Sequence, residues 1–154
     1  MGGEKVKQMK CKKYPKRDAI KNYFPMPNEI FHLGLNAGEI ALYAFLLKCE
    51  DRKTFKCYPS YRTIGRALNI SKNTVKKYVD NLCAKRLIDI AYTDIYTKDG
   101  KKLNGNLMYT IRPIQEAIDY ELEKLYEKKE LERRKAEIEK KFNKYMRSEN
   151  EDAR

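Results

Sequence analysis

Two short helical patterns joined by a tight connection constrain the fold of this chain more than any other feature of its sequence. In the first pattern, Ser60 is a good N-cap residue, because its hydroxyl can accept a hydrogen bond from the first helical turn. Apolar side chains then recur at the spacing of one helix face, at Ile64, Ala67 and Leu68. Gly65 within this helix suits the close approach of another helix. The pattern predicts a short amphipathic helix that starts after Pro59.

The second pattern follows the connection Leu68-Asn69-Ile70 and starts at a second cap residue, Ser71. Its apolar stripe has the spacing i, i+4, i+7, and consists of Val75, Val79 and Leu82. The opposite side is polar and mostly basic, with Lys72, Asn73, Lys76, Lys77 and Asp80. Two helices joined by about three residues, the second basic on its outer face, predict a helix-turn-helix.

A third helix is predicted upstream, over residues 37–49. Asn36 is a good N-cap and Glu39 completes a capping box. Residues 40–47 are apolar apart from the hydroxyl of Tyr43, and a helix that is apolar on all sides is normally buried. We therefore expect this helix at the centre of the core, preceded by an extended segment at residues 24–27 and followed by an exposed connection at residues 50–53.

Strand patterns follow the helix-turn-helix. Residues 88–93 alternate between apolar and polar types, and so do residues 107–111. Asp99-Gly100 and Asn104-Gly105 are both strong turn dipeptides. The pattern predicts a β-hairpin with a long basic tip that contains Lys98, Lys101 and Lys102. The predicted fold is therefore mainly α with a small β-hairpin wing: a winged helix-turn-helix followed by a long C-terminal helix.

The C-terminal part, from Ile114 to about Met146, is predicted to form one long helix or two shorter ones. Its apolar residues fall into two groups in different register, Ile118, Leu122 and Leu125, then Ile138, Phe142 and Tyr145. The first group is expected to pack against the core. For the second, three alternatives stay open: packing on the domain, a homodimer through the C-terminal helix, or a charged helix in water. The predicted division is a flexible basic arm at 1–23, a winged helix-turn-helix domain at 24–112 and a charged helix at 113–154.

The distribution of charge indicates a polyanionic partner. The net charge is +12, and residues 1–23 and 60–86 each carry +6. Such a concentration of positive charge on one folded element favours a polyanionic partner such as nucleic acid. The N-terminal arm is either a solvated tail or a segment that inserts into a minor groove.

Several classes of protein are not supported by the sequence. No stretch is long and apolar enough for a membrane span, and the N-terminus lacks the apolar centre of a signal peptide, so we expect a cytoplasmic protein. The four cysteines have no paired spacing and there is one histidine, so no metal site is predicted, and Cys49 and Cys83 are expected to be partly buried, reduced thiols. No phosphate-binding glycine loop or catalytic constellation is present. We expect neither an enzyme nor a cofactor.

If the partner is double-stranded DNA, the residue types predict a role for each side chain of the site. Asn73 is the best candidate for reading a base, because its amide can pair with the edge of adenine. Ser71 and Lys72 suit a phosphate at the helix N-terminus. Thr74 either contacts DNA or completes the cap, Lys76 and Lys77 suit guanine or phosphate, and Tyr78 is interpreted as core. The remaining candidates are expected to make backbone contacts, from the preceding helix and the hairpin tip: Ser60, Tyr61, Arg62, Arg66, Lys98, Lys101 and Lys102.

The run YPSYRTIGRALNISKNTVKKYVDNLCAKRLI resembles the helix-turn-helix domains of bacterial mobile elements and phages, which are related to the N-terminal modules of DnaD-like primosome proteins and plasmid replication initiators. The resemblance covers roughly residues 23–120. It implies a winged helix that binds DNA, with Ser71, Lys72, Asn73 and Thr74 at its reading end. This chain has Arg86 where that pattern usually has glycine, and Gly65 where it tends to have alanine, so the exact turn into the wing is open.

Three hypotheses of function follow. The first is a sequence-specific transcriptional regulator of a mobile element or phage, bound to DNA at the nucleoid. The second is a replication or mobilisation accessory protein that binds DNA and recruits partner proteins. The third is a protein–protein adaptor that uses the same scaffold without nucleic acid.

Overall fold

The computed structural model of the chain describes residues 23–152, so the predicted arm at residues 1–23 lies outside the described residues except for Tyr23. A short 3-10 helix at Asn28–His32 precedes the main elements. These are α1 (Ala37–Cys49), β1 (Lys56–Cys57), α2 (Tyr61–Leu68), α3 (Lys72–Ala84), β2 (Ile88–Tyr96), β3 (Lys102–Ile111) and α4 (Ile114–Asp152).

The capping box predicted for α1 is confirmed. The Asn36 side chain accepts a hydrogen bond from the Glu39 backbone N–H, and the Glu39 carboxylate accepts one from the Asn36 N–H, each at 2.9 Å. Leu42, Tyr43 and Leu46 are fully buried, whereas Lys48 on the outer side is exposed. The helix therefore lies in the core as expected, but it keeps one side in solvent.

The tight connection between α2 and α3 is built by caps and by one glycine. The hydroxyls of Ser60 and Ser71 each accept a backbone N–H at 3.1 Å, which confirms both predicted N-caps. Asn69 ends α2 in the left-handed region at φ 55°, and the Ile70 N–H donates to the Gly65 carbonyl at 2.9 Å. A Cβ on Gly65 would lie 2.8 Å from the Ile70 carbonyl oxygen. The close approach that was expected from another helix is thus made by the turn itself.

The core lies between α1, α3 and the sheet. The predicted α3 stripe of Val75, Val79 and Leu82 is fully buried, which confirms it. A Cβ on Gly38 would lie 2.5 Å from the Tyr78 ring, so this glycine lets the half-buried tyrosine pack onto α1. The interpretation of Tyr78 as a core residue is confirmed.

The wing is part of a three-stranded antiparallel sheet in the order β1-β3-β2. The predicted hairpin pairs Ile88 with Ile111 at its base and Tyr96 with Lys102 near its tip. The third strand was not predicted, because β1 is only two residues long and carries no alternation. It forms where Lys56 and Cys57 pair with Thr110 and Tyr109 of β3.

Only one of the two predicted turns is a turn. Asp99-Gly100 forms the hairpin turn, with Gly100 at φ 74°. The prediction for Asn104-Gly105 is wrong, since both residues lie inside β3, where the register shifts opposite the segment from Tyr92 to Asp94. A Cβ on Gly105 would lie 1.4 Å from the Thr93 carbonyl oxygen. The absence of a side chain at Gly105 therefore allows the two strands to approach closely at a bulge.

The turn from α3 into the wing forms without glycine. Arg86 lies at φ 57°, and its N–H donates to the Cys83 carbonyl at 2.9 Å, while the Leu87 N–H donates to Leu82 at 3.0 Å. This pair of bonds is a Schellman motif, in which glycine usually takes the left-handed position. The Arg86 guanidinium lies 4.3 Å from the centroid of the Tyr120 ring, a contact that offsets part of the backbone cost.

The C-terminal part is a single helix, α4, and among the described residues it contacts the domain through its first turns. Ala117 is fully buried, and Ile114 and Ile118 pack against the core, which confirms the prediction for the first turns. Lys85, at the end of α3, links the start of α4 to the domain. Its Nζ donates to the Leu33 carbonyl at 2.6 Å and to the Glu121 carboxylate at 2.8 Å. Leu122 and Leu125 were expected on the core face but are nearly half exposed, because the helix leaves the domain after Glu121.

The cysteines differ from the expectation at one position. Cys83 is half-buried as predicted, and Cys57 is buried, whereas Cys49 is exposed. Cys49 is the last residue of α1, where the helix has passed the edge of the core.

Candidate nucleic-acid interface

The first turns of α3 present polar side chains to solvent. Ser71, Lys72, Asn73, Lys76 and Lys77 are all exposed, as the predicted site requires. None of them is covered by another element among the residues that the structure describes. On the opposite face of α3, the stripe of Val75, Val79 and Leu82 is fully buried, and this burial orients the polar face towards solvent. The N-terminal half of α3 is therefore free to approach a large partner.

Thr74 belongs to the cap rather than to the exposed row. It is half-buried, its backbone N–H donates to Ser71 Oγ, and the two hydroxyl oxygens lie 2.8 Å apart. Of the two predicted roles, the structure therefore directly supports completion of the cap. The cap leaves other backbone N–H groups of the first turn pointing outward, with the positive end of the helix dipole.

Two adjoining grooves extend this exposed surface towards α2 and the wing. The larger, of about 670 Å³, lies between α2 and the start of α3 and is lined by Tyr61, Arg62, Gly65, Arg66, Asn69, Ile70, Ser71 and Lys72. The smaller, of about 380 Å³, lies between these helices and the wing and is lined by Ser60, Tyr61, Arg62, Lys72, Tyr92, Gly105 and Leu107. Tyr61, Arg62 and Lys72 line both grooves. The structure thus brings together all the predicted α2 residues with the beginning of α3.

The wing places its predicted lysines less directly. Lys98 and Lys101 are exposed at the hairpin tip and line neither groove. Lys102 begins β3, and its side chain lies outside the part of the structure that is described. The tip is therefore an extension beyond the grooves rather than part of them.

The basic residues of segment 60–86 divide into two groups. Lys85 and Arg86 at the end of α3 contact α4 through Glu121 and Tyr120. The others are exposed on α2 and the first half of α3, at Arg62, Arg66, Lys72, Lys76 and Lys77. Within residues 23–152 these five make no ion pair, so their charge is available to a partner.

Two tyrosines lie at this surface, and the sequence predicted only one of them. Tyr61 was predicted as a contact, whereas Tyr92 was predicted only as a strand residue, yet it is 77% exposed on the wall of the smaller groove. Burial, followed by the nearby Tyr92, raises the pKa of Tyr61, so its hydroxyl stays protonated at neutral pH and can donate a hydrogen bond. The alternation had placed Tyr92 on the same face as the buried Ile88, so the sequence carried no signal for its exposure.

Residues 33–88 match the family model described as "Helix-turn-helix domain". The match runs from just before α1 to the start of β2 and includes both helices of the tight pair. Together with the sheet that follows, it decides the fold. The domain is a winged helix-turn-helix. The helix-turn-helix match supports binding of the chain to DNA, because such domains place their second helix in the major groove.

A solved structure described as "Possible transcriptional regulator from Methanosarcina mazei Go1" is 16% identical in sequence, with a TM-score of 0.41, over 64% of this chain and 79% of that one. A search of curated protein sequences found no significant match.

In this winged helix-turn-helix, α2 and α3 form the two-helix unit and the β2–β3 hairpin forms the wing. No group of three or more potential metal ligands occurs among the described residues. None of the helices in residues 23–152 has the length and apolar character required to cross a bilayer.

Proposed function

We propose that this chain is a sequence-specific regulator of transcription that binds double-stranded DNA with the N-terminal half of α3. The observation that carries the proposal is the exposed, unpaired basic surface of α2 and α3 beside two continuous grooves. The resemblance of residues 58–88 to domains of mobile elements and phages supports a role in controlling genes of such an element. Nucleoid association in the cytoplasm is part of the same proposal.

The proposed contacts divide by chemistry. Asn73 is exposed in the first turn of α3 and is assigned to base reading, because a carboxamide can pair bidentately with adenine. The other candidates, except Thr74, which completes the cap, are assigned to phosphate or sugar contacts that set register: Ser60, Tyr61, Arg62, Arg66, Ser71, Lys72, Lys76, Lys77, Lys98, Lys101 and Lys102. We assign residues 24–112 to the DNA-binding domain, 1–23 to a basic arm and 113–154 to an appended helix.

The decisive experiment selects binding duplexes from a random pool with the full chain, then measures two variants on the selected and a scrambled duplex. Asn73→Ala should lose about 1–3 kcal/mol of discrimination between the two duplexes. Lys76→Ala should weaken both duplexes to the same extent, and Lys128→Ala on the exposed part of α4 is the control. If no motif emerges, or if Asn73→Ala discriminates as well as the unaltered protein, the assignment of sequence-specific reading is wrong.

A homodimer through α4 is the partner arrangement that we propose. From Leu122 onward the helix carries exposed apolar side chains, among them Leu131, Ile138, Phe142 and Tyr145, each more than half exposed. Their spacing of 7, 4 and 3 matches one coiled-coil seam, with Lys135 at the remaining position. In a parallel pair on this seam, Arg134 would face Glu139 of the partner. Four large apolar side chains on one face of a solvated helix favour a second copy over isolation in water.

Sedimentation equilibrium of the full chain tests the dimer. Ile138→Lys on the seam should give a monomer, whereas Lys140→Glu outside the seam should leave a dimer. The selected DNA motif should be a palindrome or a repeat with half-sites one or more helical turns apart. A monomer at all accessible protein concentrations would contradict this dimer. It would leave the proposal of DNA binding unaffected.

The alternative function is a replication or mobilisation accessory protein, in which the exposed part of α4 recruits a different protein. A chain truncated after Leu125, which keeps the first turns of α4 that pack on the domain, distinguishes the two. Retained binding to the selected site with loss of a recruited protein supports the accessory role, whereas collapse of site binding indicates that α4 is a dimer element. The adaptor hypothesis is tested by salt, since DNA affinity that falls steeply with salt concentration is expected only of a phosphate-binding protein.

A further inference from the structure

The wing carries an exposed aromatic face that the contacts proposed above do not use. Tyr92 lines the smaller groove together with Arg62 and Lys72, and its side chain is 77% exposed. Tyr96 lies further along β2 on the same side of the strand, because side chains alternate, and is also largely exposed. Tyrosine is enriched at interfaces, since it combines a large apolar ring with a polar tip. This face is therefore a candidate for contact with a partner.

The fold explains why the ring of Tyr92 is presented to solvent. Ile88, Ile90 and Tyr92 share one side of β2, and along this side burial decreases from Ile88, which is fully buried, to Tyr92. Leu107, the partner of Tyr92 in β3, packs against the core and also lines the smaller groove. The side of the sheet that covers the core thus continues into the groove. A paired strand, rather than a loop, holds the ring there.

Two positive charges border the same groove, which has a volume of about 380 Å³. Arg62 belongs to α2 and Lys72 to the first turn of α3, and neither forms an ion pair within residues 23–152. A nucleotide consists of a flat base and an anionic phosphate. One groove therefore offers an aromatic surface for the base and cations for the phosphate.

A base that is paired within a duplex cannot use the face of an aromatic ring. Its own faces are stacked on its neighbours, so side chains reach only its edges in the grooves. A ring that enters between paired bases must first unstack them, which costs free energy. An unpaired base has a free face, and stacking on aromatic side chains beside a basic groove is how proteins commonly hold single-stranded nucleotides.

We propose that the smaller groove holds an unpaired nucleotide next to the duplex site, with its base stacked on Tyr92 and its phosphate against Arg62 and Lys72. The DNA that the chain recognises is then a junction, with the duplex on α3 and the single strand directed along the wing towards Tyr96. Such junctions occur wherever a duplex is opened, at promoters as well as at replication origins. The inference rests on the proposed function, because α2 and α3 must hold the duplex, but it adds a separate requirement on the wing.

The test measures the affinity of the full chain for three probes that share the selected duplex. The first has blunt ends, the second carries a short single-stranded extension of thymidines, and the third carries an abasic extension of equal length. The abasic extension adds the same phosphates without bases, so it separates stacking from charge. Both the 5′ and the 3′ end are extended in turn.

At one of these ends, the thymidine extension should bind at least about fivefold more tightly than the abasic extension, the lower limit for one base stacked on an aromatic side chain. This comparison uses the unaltered protein, so it does not depend on the folding of a variant. Equal affinity for the two extensions at both ends would overturn the inference. Binding of the blunt duplex would still support the proposed function, whereas failure to bind any of the three probes would overturn both.

Three variants locate the stacked base. Tyr92→Ala should abolish the preference for the thymidine extension over the abasic one, whereas Tyr92→Phe should retain it because the ring remains. Tyr126→Ala, which removes an exposed tyrosine of α4, is the matched control and should retain the full preference. An undiminished preference in Tyr92→Ala, or its loss in Tyr92→Phe, would show that the base does not stack on this ring.

Discussion

Asn81 on α3 donates a hydrogen bond from Nδ2 to Glu39 Oε1 on α1, at 2.6 Å and across 42 positions of sequence. Glu39 is 5% exposed, and its other carboxylate oxygen accepts the Asn36 N–H that starts α1. One side chain therefore both caps the central helix and ties it to the helix that carries the proposed base-reading residue. The position of α3 therefore depends on the same carboxylate that caps the N-terminus of α1.

Asn81→Ala should lower the free energy of unfolding by about 1–3 kcal/mol, because it leaves a buried carboxylate oxygen without its donor. Glu39→Ala should cost more, since it also removes part of the cap. Urea denaturation of the two single variants and the double variant measures the coupling. Asn143→Ala on the exposed part of α4 is the control, and additive effects of Asn81 and Glu39 would show that the hydrogen bond contributes nothing.

Gly105→Ala should disrupt the wing, because a Cβ there would overlap the Thr93 carbonyl oxygen. The strands must separate or the bulge must shift, and we expect amide protection in residues 88–111 to fall in hydrogen exchange. Gly100→Asn is the matched control, since a Cβ there meets open space and asparagine tolerates the left-handed turn conformation. Unchanged protection in the Ala variant would mean that β3 can form without the bulge.

Lys85 and Glu121 should be coupled by about 0.5–1 kcal/mol in a double-mutant cycle, because the pair is only partly exposed and holds α4 on the domain. Loss of the lysine should also free the Leu33 carbonyl and increase hydrogen exchange in residues 114–121. The exposed pair of Glu130 and Arg134, further along α4, provides a comparison that should show a smaller coupling. A coupling of zero between Lys85 and Glu121 would indicate that the other contacts of the first turns of α4, such as those of Ala117 and Tyr120, dock the helix.

Alkaline pH should destabilise the fold through its buried thiols and phenols. Burial raises the pKa of Cys57 from 9.0 to about 12, that of Cys83 to about 11, and that of Tyr43 from 10.0 to about 12. Each group holds its proton more tightly in the folded state, so its stabilising effect is complete below its unfolded pKa and is lost as pH rises through the folded pKa. The free energy of unfolding should therefore decline from pH 9 towards pH 12.

Urea denaturation at several pH values above 8 measures this decline. Cys57→Ala should make it shallower between about pH 9 and 12, because one of the shifted groups is removed. Cys49→Ala, which alters an exposed thiol, should leave the profile closer to that of the unaltered protein. Equal slopes in both variants would show that Cys57 ionises as readily in the folded chain as in the unfolded one.

Local signals in the sequence predicted the helices well. The caps at Asn36, Ser60 and Ser71 involve residues only three positions apart, so they can be recognised without knowledge of the fold. The same holds for the α3 stripe, whose spacing alone indicates a buried face. The exposure of the proposed contact residues on α2 and α3 followed from that periodicity.

Signals that depend on distant partners were missed or misinterpreted. The two residues of β1 become a strand only because β3 offers a free edge. The dipeptide Asn104-Gly105 has the composition of a turn, but Thr93 on the opposite strand makes it a bulge. Tyr92 becomes part of the proposed interface because the hairpin folds back beside Lys72 and Arg62.

The amino-acid order was therefore enough to specify where the helices begin, which faces they bury and where positive charge collects, since neighbours along the chain supply those interactions. Only the folded chain decided how Arg86 adopts a left-handed turn beside Tyr120, how Glu39 reaches Asn81, and how Lys85 reaches Glu121. These arrangements join residues that are tens of positions apart, and their energies exist only once packing has brought the partners together.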